Sequence, residues 1–103
     1  TLHGSVVSFQ SVPFAKPPVG DLRWTMPQAP DPWTSVLPCN TDPVRCVQST
    51  DHGMSEDCLY LNVFAPTSCN GSCASMVWIH GGSYISGYAG GEGFNGTYMA
   101  AQT

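Results

Sequence analysis

The sequence predicts an α/β fold to which this chain contributes strands and loops rather than helices. Four large apolar residues, 76–79, run without a break into His80-Gly81-Gly82, and a strand with two apolar faces is normally covered on both sides. No long segment has the 3.6-residue periodicity of an amphipathic helix. We therefore expect the covering helices and neighbouring strands to come from a larger second chain, without which this chain does not fold.

The first part of the chain predicts a strand followed by an extended segment. Ser5 to Phe14 mixes apolar and polar residues in the manner of a strand. Residues 13–43 contain eight of the nine prolines. Proline interrupts both helices and sheet ladders, so we expect this segment to wrap over other elements in an irregular, extended conformation.

Further strands and a tight turn are predicted after the prolines. Residues 58–65 alternate so that both faces are apolar, which predicts a strand covered on both sides. Asn70-Gly71 is a strong signal for a tight turn, because both residues tolerate positive φ. We expect this turn to join the first strand to a second one at 75–79 in a hairpin, and a short helical turn to follow at 98–101.

Charge and composition exclude several kinds of function. Only 10% of the residues are charged, whereas ordinary soluble domains carry about 25%. We expect another chain to cover much of the surface, and the alternative is cover by glycans and neutral polar groups. The net charge is −4 and the cations are Lys16, Arg23 and Arg45 alone, which leaves no footprint for nucleic acid. No apolar run approaches the length of a membrane-spanning helix. The length of 103 residues is close to that of one domain; we expect 1–103 to be part of a single domain, without an internal boundary.

Cysteines and glycosylation sequons together favour a secreted protein. The chain has five cysteines, and Asn70 and Asn95 begin acceptor sequons at which we expect glycans. The alternative is a set of buried thiols in a cytosolic protein. No C-x-x-C pair or suitably spaced histidine supports zinc, so we expect neither metal nor cofactor. The tight turn can bring Cys69 and Cys73 within disulfide reach, which leaves Cys39 free or bonded to the partner chain.

Three motifs occur in a fixed order along the chain. They are VPFAKPPVGDLRW at 12–24, SEDCLYLNVFAP at 55–66 and VWIHGGSY at 77–84. Together they resemble the N-terminal part of the type-B carboxylesterase and lipase family, the cholinesterase-like α/β-hydrolases. Ser11 and Ser83 depart from this pattern, since the family usually has glycine at the first position and many members have it at the second.

The resemblance implies a role for the glycines that follow the apolar run. In α/β-hydrolases a buried strand ends at a loop that supplies backbone N–H groups to the oxyanion hole. By position, the donors are the N–H groups of Gly82 and Ser83, and Gly81 shapes the loop. His80 is assigned no catalytic role. The alternative is a tight turn after a strand, without function.

The resemblance also implies two pairs of side chains. Cys46 and Cys58 match a disulfide of the family. Arg23 and Glu56 match an ion pair that links the proline-rich segment to the entry of the following strand. Because the chain has so few charges, we expect this pair to be buried.

The catalytic serine, histidine and acid of such an enzyme are missing from the chain. No G-x-S-x-G elbow occurs, so we expect the triad on the partner chain. The chain begins at Thr1 without methionine and ends at Thr103, as expected of a processed or split product.

The resemblance implies a secreted esterase or lipase, and the alternative is a non-catalytic adhesion protein of the same family. In cholinesterases the loop between the cysteines matching Cys46 and Cys58 carries a tryptophan for choline, whereas this loop has no aromatic residue. A neutral carboxylic ester is therefore the expected substrate.

Overall fold

Two small sheets form the framework of the computed structural model, which describes residues 1–49 and 53–102. The larger sheet is antiparallel, with the order β1 (Leu2–His3), β2 (Val6–Pro13) and β5 (Tyr60–Pro66). The smaller sheet pairs β3 (Arg45–Cys46) with β4 (Met54–Ser55) in parallel. The strands predicted at 5–14 and 58–65 are therefore confirmed.

A bulge interrupts the pairing of β2 with β5. Phe9 pairs with Val63 and Val12 pairs with Leu61, so two residues of β2 lie opposite one residue of β5. Ser11 occupies the bulge with φ of 56°, the left-handed conformation that bulges often need at one position.

The proline-rich segment is extended and irregular, as predicted. Its one regular element is a single turn of 3₁₀ helix at Gly20–Leu22. The segment is attached to the sheet by the Gln10 N–H, which donates to the Cys39 carbonyl at 2.9 Å. Within the segment, the Lys16 N–H donates to the Gln28 carbonyl at 2.9 Å and so joins two parts of it.

The predicted hairpin is wrong. Residues 75–79 form no strand, and β5 pairs with β2 instead. The side chains of Val77 and Ile79 are 83% and 82% exposed. A central strand needs hydrogen-bonded neighbours on its edges, and no described residue supplies one for this segment.

The end of the chain covers one face of β5. A 3₁₀ turn at Glu92–Phe94 leads into α1 (Thr97–Ala100), which confirms the predicted helical turn. Gly96 lies so close to β5 that a Cβ there would be 2.7 Å from the Phe64 ring. The opposite face of β5 remains exposed, so the expected cover on both sides is present on one side only. Thr103, where a break is predicted, lies outside the described residues.

Two disulfides cross-link the loops. Cys46 is bonded to Cys58 and Cys69 is bonded to Cys73, as predicted. Cys39 is half-buried, and it is unbonded within the part of the chain that the structure describes. Across the same residues, every helix is too short to cross a membrane.

Candidate functional site

The glycine-rich segment after residue 79 folds into a tight turn around the carbonyl of Gly82. This oxygen accepts three hydrogen bonds, from the Ile85 N–H at 3.0 Å, the Ser86 N–H at 3.1 Å and the Ser86 hydroxyl at 3.3 Å. Three donors on one oxygen hold the peptide between Gly82 and Ser83 in a single orientation.

The carbonyl directions determine where the neighbouring N–H groups point. In a trans peptide the N–H lies opposite to the C=O, so the Ser83 N–H points away from the turn. The Gly81 carbonyl faces the His80 ring, whose Nδ1 lies 2.8 Å away and must carry the proton in order to donate. The Gly82 N–H therefore points away from His80. Neither N–H finds an acceptor among residues 1–49 and 53–102.

Steric crowding explains why this turn requires glycine at residue 82. Gly82 has φ of 138°, and a Cβ there would lie 1.8 Å from the Ser86 carbonyl oxygen. A Cβ at Gly81 would meet nothing within 4 Å. Ser83 and Tyr84 follow with φ of 54° and 61°, a left-handed conformation that costs energy in residues other than glycine. Such strained residues concentrate at functional sites.

Gln48 attaches this turn to the loop of the Cys46–Cys58 disulfide. The Gly87 N–H donates to Gln48 Oε1 at 2.8 Å, and Gln48 Nε2 donates to the Gly87 carbonyl at 2.9 Å. Sequence analysis did not identify this residue, because a contact between a side chain and the backbone of a distant loop leaves no periodic signal.

Asn62 makes a second attachment between the sheet and the glycine-rich segment. Its Nδ2 donates to the Ala89 carbonyl at 2.9 Å, while its Oδ1 accepts from the Ser11 N–H at 3.1 Å. The bulge in β2 and the chain after the turn are thus joined through one amide. One residue before Ala89, the Tyr88 ring has its centre 4.3 Å from the Arg45 guanidinium, a distance typical of a cation–π contact.

The predicted ion pair is present but is not buried. Arg23 Nε donates to Glu56 Oε1, which links the proline-rich segment to the residues before β5. The two side chains are 53% and 40% exposed, so the expectation of burial is wrong for this chain. The reason is that no described element covers the pair.

The remaining predicted residues lie on the surface. Asn70 is exposed between the bonded cysteines 69 and 73. Asn95 is also exposed, and its Oδ1 accepts from the Thr97 N–H at 2.9 Å at the start of α1. Neither position is obstructed for a glycan by the chain itself.

One titratable group near the base of β5 is perturbed. Partial burial raises the pKa of the Tyr60 phenol above its ordinary value, and Asp57 raises it further as hydrogen-bond acceptor and as a negative charge. The Tyr60 hydroxyl donates to Asp57 Oδ1 at 2.8 Å. The residues that the structure describes contain no group of three His, Cys, Asp or Glu side chains placed to hold a metal ion.

Comparison with known proteins identifies the family. The model of the carboxylesterase family matches residues 1–103. The chain belongs to the carboxylesterase family. This membership confirms the resemblance drawn from the three motifs, and the matched part is the N-terminal segment of the family.

Relatives of this carboxylesterase segment include enzymes from animals and bacteria. The chain is 40% identical to the mouse protein named acylcarnitine hydrolase over 82% of its length. It is 37% identical to the para-nitrobenzyl esterase of Bacillus subtilis over 99% of its length, and 39% identical to acetylcholinesterase 1 of Caenorhabditis elegans over 91%. These alignments cover 18%, 23% and 18% of the relatives, so the chain spans about a fifth of their length.

Solved esterase structures share the backbone of the segment. The chain superposes on a PNB esterase with a TM-score of 0.92 and 39% identity, covering 99% of this chain and 22% of the other. It superposes on a Geobacillus stearothermophilus carboxylesterase with a TM-score of 0.92 and 30% identity, covering 99% and 21%. The chain is therefore an N-terminal part of the α/β-hydrolase fold of these esterases.

Proposed function

We propose that this chain is part of a secreted carboxylic-ester hydrolase and supplies two donors of its oxyanion hole, the N–H groups of Gly82 and Ser83. The observation that carries the proposal is the turn at residues 80–86. Its carbonyl groups are bonded inward, so that both N–H groups point away from the turn without an acceptor in the described chain. Gly81 shapes the approach to this turn.

The chemistry of ester hydrolysis gives these donors their purpose. When a serine attacks the ester carbon, negative charge develops on the carbonyl oxygen. N–H groups that are already fixed in place stabilise this charge without any rearrangement of the loop. The serine, its histidine base and an acid make up the remaining machinery. We place that triad outside these 103 residues, on the larger second chain expected from the sequence, which also supplies the remaining strands and helices.

A neutral carboxylic ester is the proposed substrate. The loop closed by Cys46 and Cys58 contains no aromatic residue that could bind a cationic alcohol. The ring of Tyr88, two residues after the turn, already packs against the Arg45 guanidinium. A second cation on that ring would be repelled by the first.

Secretion is supported by the two disulfides, which persist in oxidising compartments. The exposed Asn70 and Asn95 are the proposed glycosylation sites. A loss of mass at both sequons on treatment of the secreted protein with a peptide N-glycosidase is the expected result. Unmodified asparagines in secreted material would contradict it.

The test of activity uses the complete protein, meaning this chain together with the remainder of its fold. We expect it to hydrolyse a p-nitrophenyl ester and to be labelled stoichiometrically by an organophosphate, with the label outside residues 1–103. A folded protein that neither hydrolyses esters nor takes up the label would support the non-catalytic adhesion alternative instead.

A further inference from the structure

Every hydrogen-bonding group of the Gln48 side-chain amide is occupied. Oε1 accepts from the Gly87 N–H at 2.8 Å, and Nε2 donates both to the Gly87 carbonyl at 2.9 Å and to the Cys46 carbonyl at 3.0 Å. An amide nitrogen has two hydrogens, and both are used here. The side chain can therefore take one orientation only, and it joins two segments 39 residues apart.

The backbone near Gln48 is itself held in place. The Cys46 carbonyl belongs to a residue fixed by the disulfide to Cys58, and the Gln48 N–H donates to Met54 Sδ at 3.3 Å. Because the backbone is constrained at Cys46 and at Gln48 itself, the side-chain amide of Gln48 is held in a fixed position.

Gly87, which Gln48 holds, lies directly against the start of the candidate oxyanion loop. A Cβ at Gly87 would be 2.5 Å from His80 Nδ1 and 2.7 Å from the Gly81 carbonyl oxygen. This carbonyl and the Gly82 N–H belong to the same planar peptide. A shift of Gly87 away from His80 would therefore free the Gly81–Gly82 peptide to rotate, and the direction of the Gly82 N–H would change.

We infer that Gln48 is a positioning residue for the oxyanion loop, acting through Gly87 on the peptide that carries the Gly82 donor. The inference rests on the proposed function of that loop. A donor that meets charge developed only in the transition state contributes to kcat more than to KM. Loss of the Gln48 contact should accordingly lower kcat at nearly constant KM, whereas a residue that only stabilises the fold would lower the melting temperature and leave kcat of the folded enzyme unchanged.

Gln48→Glu in the complete enzyme is the sharpest variant, because it keeps the shape of the side chain. The carboxylate can still accept from the Gly87 N–H, but it cannot donate, and it faces the carbonyls of Gly87 and Cys46. We expect kcat at neutral pH to fall about 10- to 100-fold, somewhat less than the loss of a whole oxyanion donor. Protonation of the new carboxyl restores one donor, so the ratio of variant to wild-type kcat should rise as pH falls towards the ordinary glutamate range of about 4.3.

Gln28→Glu is the matched control, because the Gln28 side chain is exposed and, among residues 1–49 and 53–102, only its backbone carbonyl is hydrogen-bonded. It should show wild-type kcat at every pH. If Gln48→Glu does not fold, Gln48→Met is measured instead, and a lower kcat at unchanged KM is again expected.

The outcomes separate the two proposals. A wild-type protein without esterase activity would refute the proposed function, and the role of Gln48 would fall with it. An active wild type with unchanged kcat in the Gln48 variant would refute the positioning role alone. A variant whose kcat is lowered equally at all pH values, with no recovery under acid conditions, would also overturn it.

Discussion

Replacement of Gly82 by alanine perturbs the candidate oxyanion loop at its most crowded point. The new Cβ would lie 1.8 Å from the Ser86 carbonyl oxygen and 2.6 Å from its carbonyl carbon. Both atoms belong to backbone and cannot rotate away as a side chain would. The turn must therefore open, and the peptide between Gly82 and Ser83 must leave its present orientation.

The magnitude follows from the bonds that the turn would lose. Three hydrogen bonds converge on the Gly82 carbonyl, each with a net contribution of about 1 kcal/mol. Loss of all three would cost about 3 kcal/mol, which is below a typical unfolding free energy of about 5–15 kcal/mol. The loop should therefore rearrange while the protein stays folded.

A rearranged loop no longer presents its donors to the reacting carbonyl. Removal of one oxyanion donor typically lowers kcat by about 10²–10³. Because the displaced peptide carries the Ser83 N–H, we expect a loss within this range. The KM should change little, since the charge that these donors stabilise is small in the ground state.

The assay is steady-state hydrolysis of a p-nitrophenyl ester by the complete enzyme, with circular dichroism to verify folding. Gly93→Ala is the matched control, because a Cβ at Gly93 meets nothing within 4 Å and its φ is not in the left-handed range. A folded Gly82→Ala enzyme with near wild-type kcat would refute the assignment of this loop. An equal loss in the control would show that the effect is not specific to the turn.

Three further predictions concern stability of the complete protein, measured by denaturant unfolding. The 46–58 disulfide closes the longer loop. On the chain-entropy model its removal should cost about 3 kcal/mol, and removal of the 69–73 disulfide about 2 kcal/mol. A larger cost for the 69–73 disulfide would contradict this prediction. Arg23→Ala should cost less than about 1 kcal/mol, because the ion pair is half-exposed, and a larger loss would show that the complete fold buries it. The pKa of Tyr60 is raised beside Asp57, and this stabilises the fold at pH values below the ordinary pKa of 10.0. The contribution is lost as pH rises through the pKa of the folded state. Tyr60→Phe should therefore flatten the decline in stability at alkaline pH, and an unchanged slope would refute the prediction.

Local signals in the sequence were sufficient for the elements that depend on neighbouring residues. The strand at 5–14, the extended prolines and the short helical turn follow from residue preferences within each segment. The two disulfides were also predicted, one from the reach of a tight turn and one from family resemblance.

The choice of strand partner could not be read from the same signals. Asn70-Gly71 favours a turn, but the segment on its far side, 75–79, has no partner among the described residues. β5 instead pairs with β2, where a bulge at Ser11 adjusts the register. Pairing is decided by the whole sheet, and a turn signal indicates only where the chain reverses.

The two serines that depart from the family pattern connect the sequence with the strain in the structure. Ser11 and Ser83 have φ of 56° and 54°, a conformation that glycine adopts without penalty and other residues adopt at roughly 1–2 kcal/mol. At Ser11 the hydroxyl donates to the Thr41 carbonyl at 2.8 Å, a bond worth about 1 kcal/mol that offsets much of this cost. The Ser83 side chain has no such partner within residues 1–49 and 53–102. Ser83 therefore keeps a φ that its residue type disfavours. The hydrogen bonds to the Gly82 carbonyl and those between Gln48 and Gly87 must hold the loop in this conformation.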